Sequence, residues 1–307
     1  MANERALQDK AVVVTGSGRG IGREIALLAA AQGANVVVND VGGAADGSGG
    51  DSGPAEEVAA TIRASGGAAV ANTDSVATSA GAEALVATCV DSFGRVDAVI
   101  NNAGILRDKI FHQMSADEFE SVVRVHLFGT FNVSRAAATF FRQQSNGVFV
   151  HFTSTSGLIG NLGQANYAAA KMGVVGLSKA IALDMARYNV RSNCIAPFAW
   201  TRLAATIPGD DDEGERVRLQ RMQAMSAAKV APLAAFLASD LSDGVTGQVF
   251  GVRQNEVFLF SQPRPIRSVH HAEGWDIESL HDVMLPALRS SFVALERSPD
   301  VFSWDPI

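Results

Sequence analysis

The chain has 307 residues, a formal net charge of −7 and a pI near 5.4, a balance that argues against nucleic acid or an anionic membrane as its main partner. Hydrophobic residues make up 47% of it and aromatics only 7%, so its core must be built from Ala, Val, Ile and Leu, as in a buried parallel sheet. Its two cysteines, Cys89 and Cys194, make no disulfide framework and lack metal-ligand spacing, so no metal is expected.

Met1-Ala-Asn-Glu-Arg5 carries no apolar leader core, no apolar run is long enough to span a bilayer, and Trp304-Asp-Pro-Ile307 is no peroxisomal address; the expected location is the cytoplasm. The first strand is Ala11-Val-Val-Val-Thr15, followed by Gly16-Ser-Gly-Arg-Gly-Ile-Gly22 and a helix carrying Ile21, Ile25, Leu28 and Ala29 at helical spacing. Strand, glycine turn and helix together offer backbone N–H groups and a helix N-terminus to a pyrophosphate. A plain tight turn is the simpler alternative. Ile21 stands at the third glycine of G-x-G-x-x-G, so the spacing is instead Thr-Gly-x-x-x-Gly-x-Gly.

The second strand, Asn35-Val-Val-Val-Asn-Asp40, ends in an acid 20 residues after Gly20. An acid there hydrogen-bonds the ribose hydroxyls of an adenosine and repels a 2′-phosphate. Arg19 could greet that phosphate, but the carboxylate should dominate, and NAD is the expected cofactor. Val41 to Gly53, glycine-rich and without periodicity, reads as a mobile loop over the adenosine edge. A helix over about 54–65 and a strand at 68–72 lead to Asp74, which either accepts from the adenine amino group or caps a helix beginning near Ala80. The fourth strand, from Val96, enters Asn101-Asn-Ala-Gly104, whose asparagines should satisfy backbone groups first and touch cofactor second.

One long helix is expected over 117–144. Val148-Phe-Val-His-Phe-Thr153 is a strand, Ser154 ends it, and a Gly- and Asn-rich loop leads to a helix over about 164–188. Tyr167 and Lys171, at i and i+4, share a face of that helix. Such a pair alone is more often a surface ladder. With Ser154 ahead and the glycine loop upstream it reads as a proton-transfer site, Lys⁺ pulling the phenol down from about 10 toward working pH. Val190 to Pro197 is the sixth strand and Gln248-Val-Phe marks the seventh. Residues 203–229 are charged and then Met-rich, and Met222 and Met225 suit a lid over a bulky apolar substrate, although a charge run is usually a solvated face. Beyond 251, Val257-Phe-Leu-Phe260, Trp275, Trp304 and an amphipathic segment at 277–297 should pack on the core or on a neighbouring subunit.

These motifs, from Thr15 to Lys171, resemble the short-chain dehydrogenase/reductases, and the resemblance runs over at least residues 8–250. It implies an α/β fold, a Rossmann-like doubly wound parallel sheet of about seven strands with helices on both faces, plus a C-terminal extension. The expected units are 1–251, with a lid over about 198–229, and 252–307. Ser154, Tyr167 and Lys171 become the catalytic residues. The family's fourth member, usually Asn, falls at His126, 28 residues before the serine; it either holds a relay water or is a satisfied histidine in a helix interface. The implied cofactor residues are Gly16, Ser17, Arg19, Gly20, Ile21, Asp40, Asp74, Ser75, Asn102, Ala103, Gly104, Tyr167, Lys171, Pro197 and Thr201. Phe198 departs from the family, which has Gly there. A homodimer or homotetramer would be built on the helices around 117–144 and 164–188.

Val36-Val-Val-Asn-Asp-Val-Gly-Gly, Asn101-Asn-Ala-Gly-Ile-Leu-Arg-Asp and Arg124-Val-His-Leu-Phe-Gly-Thr-Phe resemble, more narrowly, the dehydrogenase unit of type-2 peroxisomal multifunctional enzymes (the type-4 17β-hydroxysteroid dehydrogenase) and its single-domain bacterial relatives. That unit also carries Val-His-Leu. The resemblance implies NAD-dependent oxidation of a 3-hydroxyacyl-CoA, including a steroid side-chain ester, as in β-oxidation. Three rivals stay open: a 17β-hydroxysteroid dehydrogenase on free steroid, an NADPH-dependent 3-oxoacyl or carbonyl reductase, and a non-catalytic NAD-binding scaffold.

Overall fold

The structure, a computed structural model, describes residues 5–199 and 225–306. Among these, eight strands form one sheet in the order β3-β2-β1-β4-β5-β6-β7-β8. The strands are β1 (Ala11–Thr15), β2 (Asn35–Asn39), β3 (Ala68–Asn72), β4 (Ala98–Asn101), β5 (Gly147–Phe152), β6 (Val190–Phe198), β7 (Val249–Arg253) and β8 (Glu256–Leu259). All neighbours are parallel except β7 and β8. About seven strands were expected. The eighth comes from Val257-Phe-Leu-Phe260, which follows β7 through the tight turn Gln254-Asn255 and pairs back on it, Val252 opposite Val257. The expected unit boundary at 251 therefore falls inside β7.

Strand alternation builds two cores from one sheet. Val12, Val14, Val36, Val38, Ile100 and Val150 face one side, against Ile25 and Ala29 of α1 (Gly20–Ala31), Val58 and Ile62 of α2 (Gly53–Ala64), and the helix Ala231–Ala238. Val13, Val37, Val99 and Phe149 face the other, against Leu85 and Cys89 of α3 (Ser79–Phe93) and Val133, Ala137 and Phe141 further along. Residues buried on both faces explain the near-continuous Val, Ile and Ala runs. Both cysteines are small buried core residues, their thiols pushed up to about 12 chiefly by burial.

The expected helix over 117–144 is interrupted. α4 (Ala116–Val123) starts on a capping box between Ser115 and Glu118, passes into a π turn at Arg124–Phe128, and resumes as α5 (Gly129–Gln144). A π turn inserts a residue into the helical ladder, a feature that periodicity of the apolar face does not report. Here the turn carries His126. α6 (Thr155–Leu158) is a single turn after β5, and α7 (Ala165–Asp184) carries Tyr167 and Lys171.

Past β8, the segments Ile277–Ser279, Leu280–Met284 and Leu285–Arg289 bury none of their residues. Val293 and Leu295 are almost fully exposed on this chain. The extension meets the body of the protein near its start, through β8, Phe260 and Gln262, and again at its end, through Ser298.

Candidate active site

The strand order reverses between β1 and β4, and the C-terminal ends of those two strands frame the crevice where such sheets bind ligands. Gly16, at φ +62°, turns the chain out of β1, and a Cβ there would meet Ala103 Cα at 2.7 Å. A Cβ on Gly22 would meet the Gly16 carbonyl at 2.2 Å. Glycine thus lets loop, helix and the β4 end close on one another. Arg19, the N-cap of α1, makes no capping hydrogen bond with its side chain, so first-turn N–H groups remain available to an anion. Thr15 Oγ1 accepts from the N–H groups of Asn102 and Ala103, at 3.0 and 3.1 Å. Asn102 Nδ2 donates back to the carbonyls of Thr15 and Gly16. Asn101 Nδ2 reaches Ser134 and His151 inside the sheet. The asparagines are structural, as their strand-end position predicts.

Gly16, Arg19, Gly20, Ile21, Asp40, Ser75, Asn102, Ala103 and Gly104 line one cleft. Asp40 closes its far end, Oδ2 accepting from Gly18 N–H at 2.9 Å and Oδ1 from Gly42 N–H at 2.8 Å. Ser17, Asp74, Tyr167, Lys171 and Pro197 are not part of that lining. Ser17 is fully buried and its hydroxyl donates to the Val14 carbonyl, so it braces the turn from behind. Asp74 accepts from Asn72 Nδ2 at 2.7 Å and is absent from the cleft wall. Nor does it cap α3; Thr78 does, accepting from Gly81 N–H. Pro197 lies in β6. Thr201, Met222 and most of the expected lid lie outside the described residues. Val41, Ala44, Gly47, Val76, Ile105 and Val125 also line the cleft and were not singled out, although Val76 and Val125 each adjoin a residue that was. The loop read as mobile is tied to the far wall: Leu106 N–H donates to Ala45 and Arg107 Nε to the Asp46 carbonyl.

The end of β5 and α7 bring Ser154, Tyr167 and Lys171 together. Ser154 Oγ accepts from Ser156 N–H at 3.1 Å, which leaves its proton free to donate. Lys171 Nζ donates to the Phe152 carbonyl at 2.6 Å and sits 5.6 Å from the centre of the Tyr167 ring. His126 meets that ring edge-on at 5.1 Å. Its Nε2 lies 2.8 Å from the Ile105 carbonyl and 3.1 Å from the Ile105 N–H. Among the described residues its buried Nδ1 has no hydrogen-bond partner. Gly104 gives His126 its place, because a Cβ there would lie 2.2 Å from His126 Cε1.

The electrostatics depart from expectation. The Tyr167 phenol is pushed up to about 12, first by burial, with a Ser154 hydrogen bond opposing and the Asp108 charge adding. Burial also pulls Lys171 down to about 7. The expected lowering of the phenol by a nearby ammonium is absent for two physical reasons. Burial disfavours the cation itself, and Lys171 directs a proton to a backbone carbonyl instead of the phenol oxygen. His126 is held well below its ordinary range by burial and by Lys171, and is neutral.

The sequence profile described as short chain dehydrogenase matches residues 10–207. The chain belongs to the short-chain dehydrogenases. A Mycobacterium tuberculosis protein described as of short-chain dehydrogenase/reductase type is 49% identical over 234 residues, 76% of this chain and 79% of its own length. The mouse peroxisomal multifunctional enzyme type 2 is 43% identical over 78% of this chain, which spans only 31% of that protein. The hydroxyacyl-CoA dehydrogenase ChsB1 of M. tuberculosis is 38% identical over 89% of this chain and 87% of its own. Among solved structures, a 7α-hydroxysteroid dehydrogenase complexed with NADH and 7-oxo glycochenodeoxycholic acid superposes with a TM-score of 0.72 and 30% identity, over 82% of this chain and 96% of its own. The resemblance to the multifunctional enzymes and to bacterial single-domain relatives is borne out. As a short-chain dehydrogenase, the chain is of an oxidoreductase family whose members generally bind NAD or NADP, and the bare glycine floor and open helix N-terminus fit such a dinucleotide.

Proposed function

We propose that the chain oxidises the secondary alcohol of a 3-hydroxyacyl-CoA to the ketone with NAD. The observation that carries this reading is the convergence of Ser154, Tyr167 and Lys171 beside His126, which packs on the Gly104–Ile105 wall of a cleft that Asp40 also lines. A nicotinamide dinucleotide held in the cleft supplies the hydride acceptor. Ser154, fixed by Ser156 N–H, donates its free proton to the substrate oxygen. Tyr167 Oη must first be ionised; as phenolate it takes the hydroxyl proton while the C–H hydride would pass to the nicotinamide, so the alcohol loses one proton and one hydride and becomes a ketone. Lys171, which donates to the Phe152 carbonyl in this structure, would favour that phenolate only when it is protonated and turned toward the phenol oxygen.

Asp40 favours NAD. Its carboxylate is bound by two backbone N–H groups, which keep it in place where a 2′-phosphate would bring like charge. The acyl-CoA class rests on the multifunctional and hydroxyacyl-CoA relatives; the hydroxysteroid dehydrogenase neighbour supports a second reading, oxidation of a free steroid alcohol. Half-exposed Phe128 and Phe131 on the π turn and α5, and exposed Leu183 on α7, support a homo-oligomer built on those helices. No helix among the described residues is long and apolar enough to cross a membrane, and a cytoplasmic location remains part of the proposal.

The test is steady-state oxidation of a 3-hydroxyacyl-CoA with NAD and with NADP, by wild type and by Tyr167→Phe. The proposal expects turnover with NAD, at least ten-fold lower kcat/KM with NADP, and loss of turnover in the variant. Equal turnover in Tyr167→Phe would overturn it.

A further inference from the structure

The last residues of the extension return to the active site and join two of its parts. Ser298, buried at 7% exposure, donates from its hydroxyl to Thr155 Oγ1 at 2.6 Å and from its N–H to the Gly160 carbonyl at 2.9 Å. Thr155 is the residue after Ser154 and begins the turn that Ser154 caps. Gly160 ends the same loop. Arg297 and Asp300 close a capping box around Ser298, so the short turn Ser298–Val301 has a fixed geometry.

One turn later the chain is anchored at its other end. The Phe302 ring lies 4.7 Å from Phe198 and 5.3 Å from Phe258. Trp304 Nε1 donates to Glu256 at 2.8 Å, and its carbonyl accepts from Arg253, whose guanidinium also lies 5.9 Å from the Phe198 ring. Phe198 is the residue that stands where the family has Gly. A glycine would remove the ring nearest to Phe302 and leave it only its neighbours on β8 and Trp304.

We propose that residues 298–304 form a clasp that positions the catalytic-serine loop against the end of β6, with Ser298 as a positioning residue acting on Ser154 through Thr155. This rests on the role given to Ser154 and Tyr167 above. The loop 154–160 is glycine-rich, and α6 is too short to fix itself. Its hydrogen bonds to Ser298 come from a segment 143 residues away, so loop and extension hold one geometry only together. Displacing the serine hydroxyl by a fraction of an ångström weakens its contact with both substrate oxygen and phenol.

The test compares Ser298→Ala and Ser298→Thr with wild type, using 3-hydroxyacyl-CoA and NAD, with active sites counted by NADH titration. Ser298→Ala should lower kcat by roughly ten-fold or more, leave NADH affinity within about two-fold, and recover in Ser298→Thr, which keeps the hydroxyl. The pH profile separates positioning from support. Tyr167 is faced by Lys171 on its own helix, His126 from the π turn and Asp108 from the segment after β4, and the Ser154 hydrogen bond opposes its upward shift. Loosening Ser154 must therefore move the acid limb of the kcat profile to higher pH. A Ser298→Ala enzyme with unchanged kcat per site, or with lower kcat and an unmoved limb, would overturn the clasp. If Ser298→Ala does not yield NADH-binding protein, Thr155→Val removes the same hydrogen bond from the other side and is judged by the same outcomes. Absence of turnover in wild type would instead strike the proposed function and leave the clasp to be tested with whichever alcohol is found active.

Discussion

The dinucleotide cleft and the C-terminal extension are held by opposite means. The cleft is made of backbone: glycines at 16, 18, 20 and 22, N–H groups bound by Asp40 and Thr15, carbonyls bound by Asn102. Its partners lie at strand ends that the sheet brings together whatever the surface sequence. Past β8, the extension is held mainly by side chains, a few aromatics and one buried serine. Between β8 and Ser298 it leaves Ile277, Phe292, Val293 and Leu295 largely exposed. The difference teaches that a site built on backbone tolerates little at a few positions, whereas the extension should be tolerant except where it touches the catalytic loop.

The largest effect expected lies at the junction of the two. Tyr167→Phe should lower kcat by about 10³-fold or more while NADH binding, measured by fluorescence titration, stays near wild type. Turnover near wild type in that variant would remove Tyr167 as the base, whereas a wild-type chain that binds NADH but turns over no alcohol or ketone would leave the scaffold alternative.

Next comes stability. Phe141, fully buried and 4.8 Å from the Phe149 ring, should cost about 3–5 kcal/mol as Phe141→Ala. Phe292→Ala in the extension should stay within about 0.5 kcal/mol. Urea denaturation measures both, and equal losses would mean that the extension is as integral as the core.

The pH dependence follows from the buried histidines. His151 accepts from Asn101 Nδ2 and so donates to Ser192 Oγ, which fixes it neutral; burial and then Lys171 pull it down to about 3. The unfolded chain binds a proton near pH 6.5 that the folded chain refuses until about pH 3. Stability must therefore fall as pH drops through that window, by about 3 kcal/mol near pH 4. His126 adds in the same direction. Denaturation midpoints at three pH values check the slope, and His151→Gln should flatten it.

The smallest effect is one of preference. Asp40→Ala should lower kcat/KM with NAD and raise it with NADP, changing their ratio by about ten-fold. An unchanged ratio would mean that Arg19 and the loop after β2 set cofactor choice instead.

Much of this was legible because it is local. A strand, four glycines and a helix announce themselves within a dozen residues, as does an acid at the end of the next strand. Tyr167 and Lys171 needed only helical spacing. What escaped was long-range or geometric. The π turn leaves the apolar spacing of α4 and α5 nearly intact, so His126 read as part of one continuous helix. Asp74 is spaced like a ligand, but Asn72 engages it first. The rise of the Tyr167 phenol depends on burial and on where Lys171 points, and neither can be read from a four-residue spacing. Ser298 carried no sequence signal, since its partner is on another element.

The measurement that tests the central claim most directly is NADH formation from NAD with a 3-hydroxyacyl-CoA and a free 17β-hydroxysteroid side by side. The account predicts a higher kcat/KM for the CoA ester. A clear preference for the free steroid would contradict it and make the enzyme a hydroxysteroid dehydrogenase.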